Sequence, residues 1–244
     1  MKVLHICENL DDRYGGPAKS VPGLAEHLEK LGIENILLSA KVYGDESNQA
    51  ISASQLDWRS YDIIFPDRLR FMPDFKEALE QEITTNTVIH VHTLWTYPAF
   101  IGYKLAKKHK IPLVVSTRGM LYSWALERSW VIKKLALAVF QKKMLAYASA
   151  VHITEPGELN VRFNKLLAQT TCVIPNGIDL EEFSNKPESN RAKEHFDLDV
   201  NKKHILFVSR IHPKKGLIHL VSSWIGLAAE HDVWDLIICG SYEG

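Results

Sequence analysis

Cysteine is scarce in this chain. Cys7, Cys172 and Cys239 are the only three among 244 residues, and none belongs to a CxxC pair. Neither a disulfide scaffold nor a cysteine-based zinc cluster is expected. Cys7 and Cys239 lie in apolar, strand-like runs and read as buried free thiols of a reducing compartment. Charge of one sign is lacking too: 29 Lys and Arg meet 29 Asp and Glu. That balance removes the usual electrostatic case for nucleic acid. No run reaches the roughly 18 apolar residues that a membrane-spanning helix needs. The opening Met1–Cys7 is followed at once by Glu8, Asp11 and Asp12, too soon for a signal-peptide core. A soluble, cytoplasmic protein is expected, with the inner membrane face left open as a place of work.

What the chain does have is 46% hydrophobic residues in short runs that alternate with helical patterns. Strands are expected at Val3–Cys7, Ile33–Ala40, Tyr61–Phe65, Val88–His92, Leu113–Ser116, Val151–Thr154 and Thr171–Ile174. Helices are expected at Pro17–Leu31, Asp74–Ile83, Tyr97–His109, Ser129–Ala148 and Pro156–Ala168. Continuous apolar strands between helices argue for an α/β protein with a parallel sheet covered on both faces. Residues 186–203 turn polar around Pro187 and read as a linker with a short helix near Arg191–Phe196. Beyond it a new β-α-β unit starts: strand His204–Ser209, helix Lys215–His231, strand Trp234–Cys239. The expected division is a domain over 1–185, a linker over 186–203 and a small second unit over 204–244.

Ligands of open α/β sheets bind outside the carboxyl ends of the strands. After the first strand, Gly15-Gly16-Pro17 opens a helix, where free amides and the helix dipole favour an anion; a plain flexible turn is the alternative. After the fourth strand come His90, His92 and Trp95. His90 and His92 share a strand face; His90 reads as a core histidine and His92 as a rim residue that could bond a sugar hydroxyl. No HxxxH or nearby carboxylate supports a metal there. Trp95 could stack on a sugar or plug a loop. Arg118-Gly119 after the fifth strand suits an anion or polyol, or is a structural arginine that bonds loop carbonyls. Asn176-Gly177 reads as a turn with positive φ, with Asp179 capping the next short helix.

Two charge patterns remain. Lys133, Lys134, Lys142 and Lys143 fall at about 0°, 100°, 180° and 280° around one regular helix. That spread favours solvated lysines over a membrane-facing side. Arg210 and Lys215 flank the turn Ile211-His212-Pro213-Lys214 between a strand and a helix. A guanidinium fork plus an ammonium matches two adjacent phosphates, and such a pair could stabilise a departing nucleoside diphosphate; a charged surface turn is the alternative.

In order and spacing, these elements resemble the family-four retaining glycosyltransferases of GT-B fold. The likeness is carried by Gly15-Gly16-Pro17, Val88-Ile89-His90-Val91-His92 with Leu94-Trp95, Arg118-Gly119-Met120-Leu121 with Trp124-Ala125-Leu126, Ile174-Pro175-Asn176-Gly177-Ile178-Asp179, and Ser209-Arg210 through Lys215-Gly216. The resemblance implies a Rossmann-like acceptor domain followed by a second that binds a nucleotide-sugar donor. It places Gly15, Gly16, Arg210 and Lys215 at the donor phosphates, and His92 and Arg118 at the transfer site. Tyr14 and Trp95 would lie on the acceptor side. Transfer would be retaining, with no metal and no cofactor, from a UDP- or GDP-sugar to a glycan or lipid-linked glycan in bacterial polysaccharide synthesis. A peripheral membrane association is also open. The family's E-x7-E motif does not occur after Gly216, so this chain is expected to be a truncated form with little activity. A nucleotide-sugar epimerase of GT-B shape and a non-catalytic glycan-binding remnant or subunit are the alternatives.

Overall fold

The computed structural model describes residues 1–42, 46–64, 69–127, 130–158, 170–184, 191–212 and 215–241. The expected helix 156–168 lies outside them from 159 onward, as do Phe65, Ser129, residues 185–190, Pro213 and Lys214. The chain forms two compact units, Met1–Ile178 and Asp179–Gly244.

The first unit is built on a seven-stranded sheet in the order β3-β2-β1-β4-β5-β6-β7. Its strands are β1 Lys2–Cys7, β2 Glu34–Lys41, β3 Asp57–Asp62, β4 Thr87–Val91, β5 Leu113–Ser116, β6 Ala150–Ile153 and β7 Thr171–Val173. All neighbouring pairs are parallel. The chain winds outward from β1 through β2 to β3, then returns to the other side of β1 with β4. The strand order therefore reverses between β1 and β4, where open α/β sheets leave a crevice. β3 starts four residues before the expected Tyr61. It is an edge strand with a half-polar sequence, Asp57-Trp58-Arg59-Ser60-Tyr61-Asp62, and edge strands carry such charge to discourage further pairing.

Side chains alternate across each strand, and here the two faces differ in kind. One carries Leu4, Ile6, Ile89, Val91, Val115, Val151 and Ile153, all buried in one apolar core. Helix α4, Tyr97–His109, packs there; a Cβ on its Gly102 would lie 2.7 Å from Ile6 Cδ1, so glycine lets the helix sit close. The other face carries His5, His90, Ser116 and His152, which the strand registers bring side by side.

Helix α1, Gly16–Lys30, contains Pro22 in mid-helix. Proline has no N–H, so the carbonyl of Ala18 loses its helical donor. Asn48 replaces it: its Nδ2 donates to Ala18 O at 2.8 Å and to Leu10 O at 2.6 Å. Its Oδ1 meanwhile accepts from Ile51 N at 3.0 Å, capping helix α2, Gln49–Ser54. One buried amide thus joins the β1 loop, α1 and α2.

After α3, Phe75–Gln81, and α5, Ser123–Glu127, one longer helix runs from α6, Trp130–Ala136, through a π turn, Leu137–Gln141, into α7, Lys142–Tyr147. The π turn departs from the uniform winding expected for the lysine pattern. It also turns two consecutive side chains, Phe140 and Gln141, into the interior.

The second unit has helix α8, Arg191–His195, then β8, Lys203–Val208, α9, Leu217–Leu227, and β9, Trp234–Cys239, with β8 and β9 parallel. None of its described residues is buried. Leu206, Val208, Ile218 and Ile225 are exposed. Cys7 is buried and its thiol is pushed up to about 12 by burial. Cys239, by contrast, is exposed, because no further layer covers β9 among the described residues.

Replacing Asn48 with Ala leaves two buried carbonyls and one helix end without partners. We expect it to lower unfolding free energy by about 2–3 kcal/mol, read as a fall in urea midpoint. An unchanged midpoint would show that Asn48 does not compensate for Pro22.

Candidate functional site

The reversal between β1 and β4 brings together residues from five segments. Gly15 has φ of 101° and ψ of −141°, a region nearly restricted to glycine. Gly16 is the first residue of α1, and a Cβ there would meet nothing within 4 Å. One turn on, Ser20 Oγ donates to Gly16 O at 3.1 Å and accepts from Arg118 Nη1 at 2.8 Å. Arg118 also reaches Asn176 Oδ1 at 3.5 Å, and bonds His92 Nδ1 through Nη2 at 3.1 Å and Nε at 3.3 Å. From His92 the path runs inward to His5 and Asn35.

Partners that can only donate or only accept assign every proton in this relay. A guanidinium only donates, so His92 Nδ1 accepts. His92 then carries its proton on Nε2 and donates to His5 Nδ1 at 2.9 Å. His5 in turn carries its proton on Nε2 and donates to Asn35 Oδ1 at 3.0 Å. The Asn35 amide is oriented by its Nδ2, which donates to Ile33 O at 2.7 Å and Ala25 O at 3.2 Å. A second relay runs parallel to it. His152 Nε2 donates to Ile174 O at 2.7 Å, Ser116 Oγ donates to His152 Nδ1 at 2.8 Å, and His90 Nε2 donates to Ser116 Oγ at 2.8 Å.

Burial keeps His5, His90 and His92 neutral. It pushes the His5 imidazole down to about 4, with Arg118 adding to the fall and the Asn35 bond opposing it. His90 and His92 lie well below their ordinary value, by burial first and then by neighbouring histidines and Arg118. The ligand nitrogens of His5, His90 and His92 lie within 4.8 Å of one another, which is within reach of a metal ion. A cation there would have to break the His92–His5 bond and sit beside a guanidinium, so the geometry favours the hydrogen-bonded relay.

Glu158 shapes the loop that presents Arg118. Its carboxylate accepts from Thr117 Oγ1 at 2.6 Å, Gly119 N at 2.6 Å and Thr154 N at 2.7 Å, and also from Thr154 Oγ1. Burial alone would raise this carboxyl; the bonds outweigh it and hold it below its ordinary value. The clamped loop carries Arg118 at φ 45° and Gly119 at φ 74°. A non-glycine residue in that region costs about 1–2 kcal/mol, less than charge-assisted bonds of about 1.5–3 kcal/mol each supply.

The structure thus unites Gly15, Gly16, His92 and Arg118 and revises several expectations. His92 is 2% exposed with both nitrogens engaged, because β1 flanks it and Arg118 covers it; it does not stand open at a rim. Arg118 bonds side chains rather than loop carbonyls. Among the described residues all its hydrogen-bond partners are neutral. Trp95 is 8% exposed and plugs its loop at φ 68°, its backbone N donating to Gln141 Oε1 at 3.0 Å. It offers no ring face for a sugar to stack on. Tyr14 donates its hydroxyl to Glu8 at 2.6 Å, and Glu8 is paired with Arg70. Neither Asn176 nor Gly177 takes a positive φ. Asp179 Oδ1 accepts from Glu181 N at 2.9 Å, a local turn bond; the N-cap of the short helix Glu181–Phe183 is Leu180, so Asp179 is not the expected cap. In the second unit Arg210 and Lys215 are exposed on either side of the turn before α9. There Ile211 N donates to Ser241 O at 2.8 Å. A Cβ on Gly240 would lie 1.7 Å from Ser209 O, so only glycine lets the two strand ends approach.

Sequence reasoning missed His5, Asn35, Ser116, His152, Ser20 and Glu158. The usable signal was the alternation of His5, His90, Ser116 and His152 at inward positions of otherwise apolar strands.

The relay has a consequence for stability against pH. Histidines with folded pKa values below the unfolded value of about 6.5 are neutral in the fold and protonated in the unfolded chain. Their stabilising contribution is full above 6.5 and is lost as pH falls toward the folded values. For each such histidine, unfolding free energy should fall by up to about 1.4 kcal/mol per pH unit below 6. Urea unfolding at pH 7.5 and 5.5 measures this; equal midpoints would contradict buried neutral rings.

Comparison with known proteins bears on family and fold. A family profile described as glycosyl transferase 4-like domain matches residues 15–177. Alpha-maltose-1-phosphate synthase of Mycobacterium tuberculosis is 28% identical over 149 residues, covering 56% of this chain and 36% of that protein. Among solved structures, Anabaena Alr3699/HepE in complex with UDP and glucose is similar with a TM-score of 0.72 at 16% identity, over 100% of this chain and 62% of that one. UDP-GlcNAc 2-epimerase from Neisseria meningitidis bound to UDP-GlcNAc is similar with a TM-score of 0.64 at 17% identity, over 98% and 65%. The chain spans less than two thirds of the length of each of these relatives. With a Rossmann-like α/β fold of GT-B type and a family match across most of its first unit, the chain belongs to the glycosyl transferase 4-like family.

Proposed function

We propose that the protein takes part in transfer of a sugar from a nucleotide-sugar donor, a UDP- or GDP-sugar, to a glycan or lipid-linked glycan acceptor. Arg118 carries this reading. A half-buried guanidinium, bonded among the described residues to neutral groups and lying one hydroxyl away from the α1 amino terminus, is suited to meet negative charge. The kinship with a maltose-1-phosphate synthase and the likeness to a fold that holds UDP-sugars support the donor class. We assign Gly15 and Gly16 to donor phosphates through the free amides of α1, and Arg210 and Lys215 to the diphosphate.

In the reaction the bond between the anomeric carbon and the diphosphate oxygen breaks. A bond from that carbon to an acceptor oxygen forms on the same face, and the acceptor's proton leaves with the diphosphate. The cations do the work a metal would otherwise do. Arg118 lies at the reacting group, and His92 acts through Arg118 as a positioning residue. Tyr14, tied to Glu8, borders the acceptor side. Bacterial polysaccharide synthesis at the cytoplasmic membrane face is the setting this reading fits. Turnover by this chain is slow, because none of the described residues of the second unit is buried.

Incubation of the 244-residue protein with labelled UDP- and GDP-sugars and a panel of glycan acceptors tests this. The expected result is slow, acceptor-dependent transfer that retains the anomeric configuration and survives a chelator. Arg118→Gln should lower it on the order of a hundredfold. Interconversion of the donor without an acceptor would replace the reading with an epimerase, and rapid transfer would overturn the weak donor site.

A further inference from the structure

We propose that His5, His90 and His92 form a site for one borderline divalent cation of the zinc type, and that this ion competes with Arg118 for His92. The strand register sets His5 of β1 beside His90 of β4, and His92 follows two residues on, on the same face. Ring centroids lie 3.9 Å apart for His90 and His92, 5.2 Å for His5 and His92, and 5.4 Å for His5 and His90. One ring nitrogen from each lies within 4.8 Å of the other two. Three imidazoles, with a fourth position left to water, are a ligand set that zinc accepts.

The relays have already prepared two of the three. His5 keeps its proton on Nε2, against Asn35 Oδ1 at 3.0 Å, and turns the Nδ1 lone pair toward His92. His90 keeps its proton on Nε2, against Ser116 Oγ at 2.8 Å, which leaves a lone pair on Nδ1. Outer partners of this kind fix the tautomer of a metal-binding histidine. All three rings are neutral, so no ring charge opposes the ion.

His92 is the switch. Its Nε2 donates to His5 Nδ1 at 2.9 Å, and the ion takes the place of that proton. Two nitrogens on one tetrahedral zinc stand about 3.4 Å apart, so the pair opens by roughly half an ångström. The displaced proton moves to His92 Nδ1, where the N–H groups of Arg118 now point. Donor then faces donor and cation faces cation, so Arg118 leaves. Its departure uncovers His92 and removes the guanidinium that otherwise stands against an ion. The cluster therefore holds either Arg118 and the relay or the ion without Arg118. Loading it switches off the transfer site. That consequence rests on the proposed role of Arg118; the binding of the ion does not.

Titration of the untagged 244-residue protein with Co2+ tests binding without donor or acceptor. Co2+ absorbs strongly in the visible only where its site is tetrahedral. We expect one such ion per chain, displaced by Zn2+. R118A should bind it at least about tenfold more tightly, because a like charge is gone. H90A should lose the visible band while keeping its circular dichroism spectrum. No band in the wild type, no tighter binding by R118A, or a band that survives in H90A would each overturn the site. In the transfer assay added Zn2+ should inhibit, and transfer that persists at saturating Zn2+ would overturn the competition with Arg118. Absence of transfer altogether would leave the Co2+ result standing, so the two readings fail separately.

Discussion

The Arg118 guanidinium donates twice to one nitrogen of His92, and that contact governs the polar interior of the first unit. Because guanidinium cannot accept, His92 must offer a lone pair outward and its proton inward. His5 must then do the same, and the chain ends on an asparagine whose amide is already oriented. A single donor at the mouth thus sets protonation through the centre of the sheet. The low dielectric there makes each alternative costly: a charged ring would face Arg118, and a reversed ring would leave a donor against a donor.

Several features that look unrelated serve the same placement. Glu158 holds the Arg118 loop in a backbone region that the arginine would not choose alone. Ser20 links Arg118 to Gly16 at the start of α1. Asn48 anchors that helix at the point where Pro22 interrupts its bonding. The centre of the opposite sheet face, around Leu4, Ile6, Ile89 and Val91, is apolar and supplies the core, so the buried histidines are concentrated on one side of the sheet. The π turn adds to this by sending Gln141 inward to Trp95 while the outer side of the same helix stays apolar and cationic.

Much of the fold was legible from the sequence. Apolar runs such as Val3–Cys7 and Leu113–Ser116 mark buried parallel strands, and helix Tyr97–His109 reads directly. β3 was misplaced because an edge strand does not need apolar residues. The site was legible only as separate pieces. Gly15, Gly16, His92 and Arg118 could be named from strand ends, but nothing local says that a strand histidine such as His5 faces another 87 residues away. His92 looked like a rim residue because the arginine that covers it comes from a different strand. Glu158 was hidden for the same reason: a carboxylate after Pro156-Gly157 looks like a surface turn until the Thr117 loop closes on it.

The central claim is the direction of the relay. Histidine 15N chemical shifts of the folded protein at pH 6.5 measure it, since protonated and lone-pair ring nitrogens are well separated. The account predicts that His5 and His92 are both neutral, each with its proton on Nε2. A proton on Nδ1 of His92, or an imidazolium at either position, would contradict it.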